Sequence, residues 1–345
     1  MSQFYRDYAD FLRERFDGKM QKITVDAGFS CPNRDGTIGR GGCVYCNNLS
    51  FSPMPSRGSI AAQIEAGKAF FARKYPRMRY LAYFQSYTNT HGPIDRLMEL
   101  YSEALATEGV DGLIIGTRPD CVSDELLRAL SALGSPVIME YGAESSHNDT
   151  LRVINRCHTW EQTVDTVERT VAAGLPVGLH FIMGLPGETE EMMLQTAARA
   201  ARLPISTLKF HQLQIISGTP LAREIQGLTH PSTSETSATS EASATSEASE
   251  TSTRIQNRPT FRGRPIEIFS VEAYIDLCVR IVETIVRENP SIAIERFTSQ
   301  APAEMLIAPR WGLKNYQFAH LLEKALKERF NAKVRCFFRW QCGAY

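Results

Sequence analysis

The sequence predicts an α/β protein built on a parallel sheet, and three observations lead there. Strand-length apolar runs alternate with helix-length amphipathic segments six times between residues 22 and 216. The runs are apolar nearly throughout, as strands covered on both faces are. A helical stretch joins each run to the next, which is the connection parallel strands need. Six units are too few for a closed eightfold barrel, so a partial (βα)6 barrel and an open doubly wound sheet both satisfy the pattern. Either one gathers its functional groups at the carboxyl ends of the strands.

In chain order, residues 1–18 read as an N-terminal helix, with Phe4, Tyr8, Phe11, Leu12 and Phe16 at helical spacing and Gly18 as the stop. A core follows over 19–227. Its strands are KITVDA (22–27), RYLAYFQ (79–85), GLIIGT (112–117), PVIMEYG (136–142), PVGLHFIMG (176–184) and STLKFHQLQII (206–216). Its helices are 59–75, N-capped by Ser59, then 93–106, 124–133, 161–174 with Gly174 as the C-cap, and 188–203. Residues 228–262 form a low-complexity insert in which SATSEA occurs twice in succession; without large apolar side chains it cannot offset its ordering entropy, and disorder is expected. A small C-terminal α/β extension, 263–345, closes the chain with helix 271–289, strand 291–297, helix 314–330 and strand 332–338.

Composition narrows the function classes. With 38 basic and 38 acidic residues, net charge is zero and announces no nucleic-acid partner. Charge is uneven locally: residues 291–345 hold nine Lys and Arg against four Asp and Glu, and Arg254, Arg258, Arg262 and Arg264 lie in one acid-free stretch. No apolar run is long enough to cross a membrane, and the N-terminus lacks a secretory core, so a cytoplasmic location is expected.

Of the eight cysteines, three fall in CPNRDGTIGRGGCVYC, residues 31–46. Cys43 and Cys46 form a C-x2-C pair, and Cys31 precedes them across a glycine-rich turn region. The loop follows the first strand, where a parallel α/β protein keeps its site, and clustered intracellular cysteines more often bind metal than pair. Structural zinc would want a fourth ligand, and the spacing of His91, His147 and His211 supports none of them. A four-iron cluster held by three thiolates would leave one iron open. Cys121, Cys157 and Cys278 read as small buried hydrophobes, and Cys336 with Cys342 as a candidate second metal pair.

The stretches DAGFSCPNRDGTIGRGGCVYCNN, YFQSYTNT, GTRPDCVSDELL, EYGAESSHNDTLRVINRCH and MGLPGETEEM resemble the radical S-adenosylmethionine (SAM) superfamily, and within it the YhcC/YtqA-type group. TRPD, INRCH and GLPGE are also similar to the catalytic subunit of Elongator, a tRNA-modifying complex. The spacing C-x11-C-x2-C departs from the superfamily's usual C-x3-C-x2-C. Cys157 stands where the group usually shows Gly, and Glu144 where it often shows Gln.

The resemblance implies a partial (βα)6 barrel of radical SAM type. It implies a [4Fe–4S] cluster on Cys31, Cys43 and Cys46, with SAM on the fourth iron and cleaved to a 5′-deoxyadenosyl radical. SAM contacts are expected from Tyr45, from Gln85 and Ser86 with neighbouring Tyr87, and from Arg118, Glu140, Glu144 and Gly184. An ion pair with Asp120 is the competing role for Arg118, and core packing for His180 and His211. The implied partners are a flavodoxin or ferredoxin as electron donor and tRNA, whose wobble-uridine carboxymethylaminomethyl group would be converted to aminomethyl. Radical chemistry on a small metabolite is the alternative. A zinc-stabilised RNA-binding module is the alternative of another class.

Overall fold

The computed structural model describes residues 2, 4–50, 58–73, 78–229 and 258–342. Helix α1 spans Tyr8–Arg13 and the first strand, β1, spans Met20–Val25. Ser59 caps helix α2 (Ile60–Ala72) by accepting from the Ala62 amide. There follow β2 (Arg79–Phe84), α3 (Ile94–Ala106), β3 (Val110–Thr117), α4 (Asp124–Ser131) and β4 (Val137–Glu144). Helix α5 (Trp160–Ala172) opens on a capping box of Thr159 and Gln162 and gives way at Gly174, whose φ is +81°. Then come β5 (Val177–Met183), α6 (Glu190–Ala201), β6 (Thr207–Gln212) and α7 (Pro220–Thr229). After the insert the chain adds α8 (Val271–Glu288), β7 (Ala293–Arg296) and α9 (Asn315–Cys342).

Strands β1 to β6 pair in sequence order, all parallel, and β7 extends the sheet by pairing parallel with β6. The C-terminal extension therefore contributes a seventh strand to the sheet. The sheet curls far enough that Lys22 of β1 reaches Glu295 of β7, 2.7 Å away. The outer face carries the main core, including Phe84, Leu113, Met139, Leu179 and Phe210, all fully buried under the helices. Burying a side chain of this size stabilises by about 1.5–3 kcal/mol.

The inner face is stratified. At the amino ends of the strands, Leu81, Ile114 and Ile138 form an apolar floor, closed by Phe11 of α1. The Ile294 amide donates to the Arg6 carbonyl at 2.9 Å, holding α1 in the gap between β1 and β7. Above the floor lies a layer of charges, and above that a cavity.

Three expectations change. Residues 332–338 belong to α9 and not to a strand, because no Gly or Pro interrupts 315–342 and the helix runs on. The strand predicted over 206–216 divides: Ile215–Ile216 leaves the sheet and pairs antiparallel with Leu306–Ala308. Residues 230–257, the bulk of the expected insert, lie outside the described residues, as do the side chains of Cys336 and Cys342. The insert's edges are ordered, in α7 on one side and the hairpin Thr260–Phe261 with Arg264–Pro265 on the other.

Candidate active site

The loop after β1 is built tightly around its cysteines. Cys31 caps one helical turn, Pro32–Asp35, which ends at Gly36 with φ +96°. The Cys46 amide donates to the Cys43 carbonyl at 3.0 Å, which closes the C-x2-C turn. Gly42 suits its place: its φ of +76° is the left-handed backbone that glycine adopts readily, and the Arg34 guanidinium packs against it. A second segment, 153–158, buttresses the loop. The Val44 amide donates to the Ile154 carbonyl, and Asn155 Nδ2 donates to the carbonyls of Arg40 and Gly42.

Cys31, Cys43 and Cys46 line one wall of a single cavity at the carboxyl ends of the strands. Among the described residues no three His, Cys, Asp or Glu side chains are drawn to one point at metal-binding distances. Arg156 Nη1 and Asn33 Nδ2 approach Cys43 Sγ at 3.6 and 3.7 Å. Burial, then Cys43, pushes the Cys46 thiol up to about 11.

The remaining expected residues divide. Tyr45, Gln85, Tyr87, Arg118, Glu140 and Glu144 line the same cavity; Ser86 is buried beside it, outside the lining. Gly184 also lies outside: its φ is +90°, and a Cβ there would meet the Glu267 carbonyl at 2.7 Å. The Gly187 amide donates to Pro265 from the same turn, so GLPGE forms a seam with the C-terminal extension. Glu188 in that turn accepts from Ser145, and burial pushes its carboxyl up to about 7.

Arg118 does pair with Asp120, at 2.7 Å, with both side chains buried. Its Nη2 also donates to the Arg156 carbonyl, while Nη1 has no partner. Glu144 lies near Tyr45 and 3.5 Å from Arg156; burial raises its carboxyl despite that arginine. Glu140 gives both oxygens to cations. It accepts from Lys22 at 3.1 Å, Lys209 at 3.0 Å and His180 at 2.9 Å, and these hold it well below the usual carboxylate range against its burial. Glu295 completes that layer by accepting from Lys22 and Lys209. His180 and His211 line the cavity; burial pushes them down to about 4 and about 3. Cys157 is exposed instead of buried, and its φ of +62° is the left-handed backbone that glycine adopts readily.

Sequence reasoning missed Arg156, Asn33, Lys22, Lys209 and Arg296. A charged residue inside an otherwise apolar strand signals the two lysines, because an unpaired charge there would be costly. Arg156 and Asn33 carried no separate signal, since their partners become visible only in three dimensions. In the cavity lining, Asn48 Oδ1, Thr88 Oγ1, Arg118 Nη1 and Arg296 Nε are all buried without a hydrogen-bond partner.

Comparisons with known proteins agree with this arrangement. The radical SAM superfamily model matches residues 35–200, and the radical SAM C-terminal domain model matches residues 259–328. The chain is 30% identical to the uncharacterized protein YtqA of Bacillus subtilis over 332 residues, 95% of this chain and 91% of that one. It is 40% identical to protein YhcC of Escherichia coli over 215 residues, 61% of this chain and 69% of that one. A tRNA uridine(34) acetyltransferase of Methanocaldococcus infernus is 30% identical over 112 residues, 32% of this chain and 21% of that one. Elp3 of the same archaeon superposes with a TM-score of 0.57 at 16% identity, over 90% of this chain and 63% of that one; this is a likeness of fold. The chain belongs to the radical SAM superfamily, whose members use a [4Fe–4S] cluster and SAM.

The residues present fit those cofactors. Three soft thiol donors share one wall, N–H donors from Arg156 and Asn33 face a sulfur as they would face a cluster-bound thiolate, and buried polar atoms in the lining await partners.

Proposed function

We propose that this radical SAM enzyme acts on tRNA, converting the carboxymethylaminomethyl side chain of a wobble uridine to the aminomethyl form. With SAM as the two-electron oxidant, the N–CH2 carbon of the carboxymethyl group would be oxidised, and water would then split the N–C bond to leave the amine and release glyoxylate. The observation that carries the reading is the charge of the cavity. Among the described residues, Arg34 and Arg296 line it with no carboxylate paired to them, whereas Arg118 is matched by Asp120, Arg156 by Glu144, and Glu140 by Lys22 and Lys209. Such a lining suits a substrate that brings anionic groups. Arg262, on the hairpin that follows the insert, donates to the Val153 carbonyl next to the segment bracing the cysteine loop, and with Arg264 it offers phosphate contacts near the site. The partial relative named for tRNA uridine 34 supports the same substrate class.

Cys31, Cys43 and Cys46 would hold the cluster. Arg156 and Asn33 would stabilise negative charge on the Cys43 sulfur, and Tyr45, Gln85, Arg118 and Glu144 would orient SAM. When bound and reduced by a flavodoxin or ferredoxin, cluster and SAM together supply hydrogen-atom abstraction. The paired charges of Glu140, His180, Lys22, Lys209 and Glu295 lie at the base of the cavity, so the reacting groups would sit against fixed dipoles above an apolar floor.

The test is anaerobic incubation of reconstituted enzyme with SAM, a low-potential reductant and tRNA bearing carboxymethylaminomethyluridine, followed by nucleoside mass spectrometry. Gain of the aminomethyl nucleoside, dependent on SAM, is expected. Unchanged wobble nucleosides, with SAM cleaved when a metabolite extract is supplied, would move the substrate to a small molecule. One zinc and no iron would leave an RNA-binding module.

A further inference from the structure

Arg296 ends β7, at the far edge of the sheet in strand order from the cysteine loop that follows β1. The other three cavity arginines are engaged: Arg34 with the Cys46 carbonyl, Arg118 with Asp120, and Arg156 with Gly142 and His158. Among the described residues none makes a hydrogen bond or ion pair with the Arg296 side chain, and its Nε is fully buried. A buried guanidinium N–H calls for an acceptor, and no group of the described residues supplies one to Arg296 Nε.

The surroundings define what would satisfy it. His211, Gln214, Ile216 and Ser299 line the same end of the cavity. The segment bearing Ser299 is held from both sides: its amide donates to Gln212, and its carbonyl accepts from Gln212 and, at 2.9 Å, from Gln214. His211 Nδ1 lies 3.1 Å from the Gln212 carbonyl, so that nitrogen carries the proton and Nε2 is the acceptor. With burial and Arg296 both opposing a second proton, the ring stays neutral. One wall therefore offers a cationic donor fork beside a neutral acceptor.

We infer that Arg296 and His211 form a substrate subsite for a carboxylate carried next to an N–H group. Arg296 would take the carboxylate oxygens through its fork and His211 Nε2 would accept from the N–H. The inference rests on the wobble-uridine reading for the substrate's identity, because a carboxymethylamino group is such an edge; the anion subsite itself does not need that reading. SAM carries an amino group and a carboxylate too, so the experiment must separate the two sources.

Trifluoroacetate is titrated into anaerobically reconstituted holoenzyme and followed by fluorine NMR, with and without saturating SAM. Saturable line broadening that persists with SAM, weakens about tenfold or more in Arg296→Gln and survives in Arg296→Lys is expected. Absence of broadening in the wild type would overturn the inference. So would displacement by SAM, or a tenfold loss of SAM affinity in Arg296→Gln, because the anion would then be the cofactor's own. In a second arm, anticodon stem-loops bearing carboxymethylaminomethyl- or aminomethyluridine are compared by fluorescence anisotropy. The wild type should prefer the former about tenfold, and Arg296→Gln should erase the preference. If trifluoroacetate binds as expected while neither RNA is preferred, the subsite is supported and the wobble-uridine reading falls.

Discussion

Midway up the barrel interior, Lys22, Glu140, His180, Lys209 and Glu295 satisfy one another across four strands, β1, β4, β5 and β6, and the edge strand β7. In the cavity directly above, Asn48, Thr88, Arg118 and Arg296 each keep a buried polar atom without a partner. Both levels take polar groups out of water; the charges of the lower one compensate one another within the chain, whereas the upper one leaves an N–H of Arg118 and of Arg296 without an acceptor among the described residues. The lower level is therefore structural, and losing one member should cost stability. In the upper level Arg296 has no partner among the described residues, so losing it should cost binding while leaving the fold intact.

The largest effect expected is at the cysteine wall. Cys43→Ala should abolish SAM cleavage and iron retention, measured as 5′-deoxyadenosine and bound iron after anaerobic reconstitution, while urea unfolding of the metal-free chain barely moves. Next is the charged layer. Lys209→Met leaves Glu140 and Glu295 sharing Lys22, and should lower the unfolding free energy by about 3–5 kcal/mol. The double variant Lys209→Met/Glu140→Met should recover part of that loss; no recovery would mean the layer is not one coupled unit.

Arg156 tests the boundary between the two levels, since it braces the fold and faces a thiol at once. Arg156→Met should reduce iron retention and activity roughly 10–100-fold, as loss of a partner behind a metal ligand typically does. The smallest effect is at the seam. Burial raises the Glu188 carboxyl from 4.5 to about 7, so the folded chain holds a proton that the unfolded chain has released. Stability from this group is complete below about 4.5 and drains away as pH rises towards about 7. Glu188→Gln should flatten that decline and gain about 1–3 kcal/mol at alkaline pH, read from urea midpoints across the range.

What the sequence made legible follows the same division. Six apolar runs and their helices were readable because burial on both faces leaves a one-dimensional trace, and the cysteines were readable because metal-ligand spacing is local. Partnership between distant strands leaves no such trace. Glu140 looked like a cofactor contact when read alone, yet its oxygens are occupied by β1, β5 and β6. Arg296 is one charge in SIAIERF, and nothing nearby distinguishes it from Glu295, which faces the paired layer. Gly184 suits the approach of a ligand, but glycine serves close approach of any backbone, here that of Glu267. Cys157 stands where the resembling group usually shows Gly, and its backbone takes the left-handed conformation that glycine adopts readily.

The most direct test is Mössbauer spectroscopy of iron-57-reconstituted protein before and after SAM is added. Three thiolates in one wall predict one [4Fe–4S] cluster per chain with a single distinct iron whose signal shifts when SAM binds, and loss of the cluster in each of Cys31→Ala, Cys43→Ala and Cys46→Ala. Four equivalent irons unmoved by SAM, or a cluster retained without Cys31 and lost without Cys157, would contradict the account.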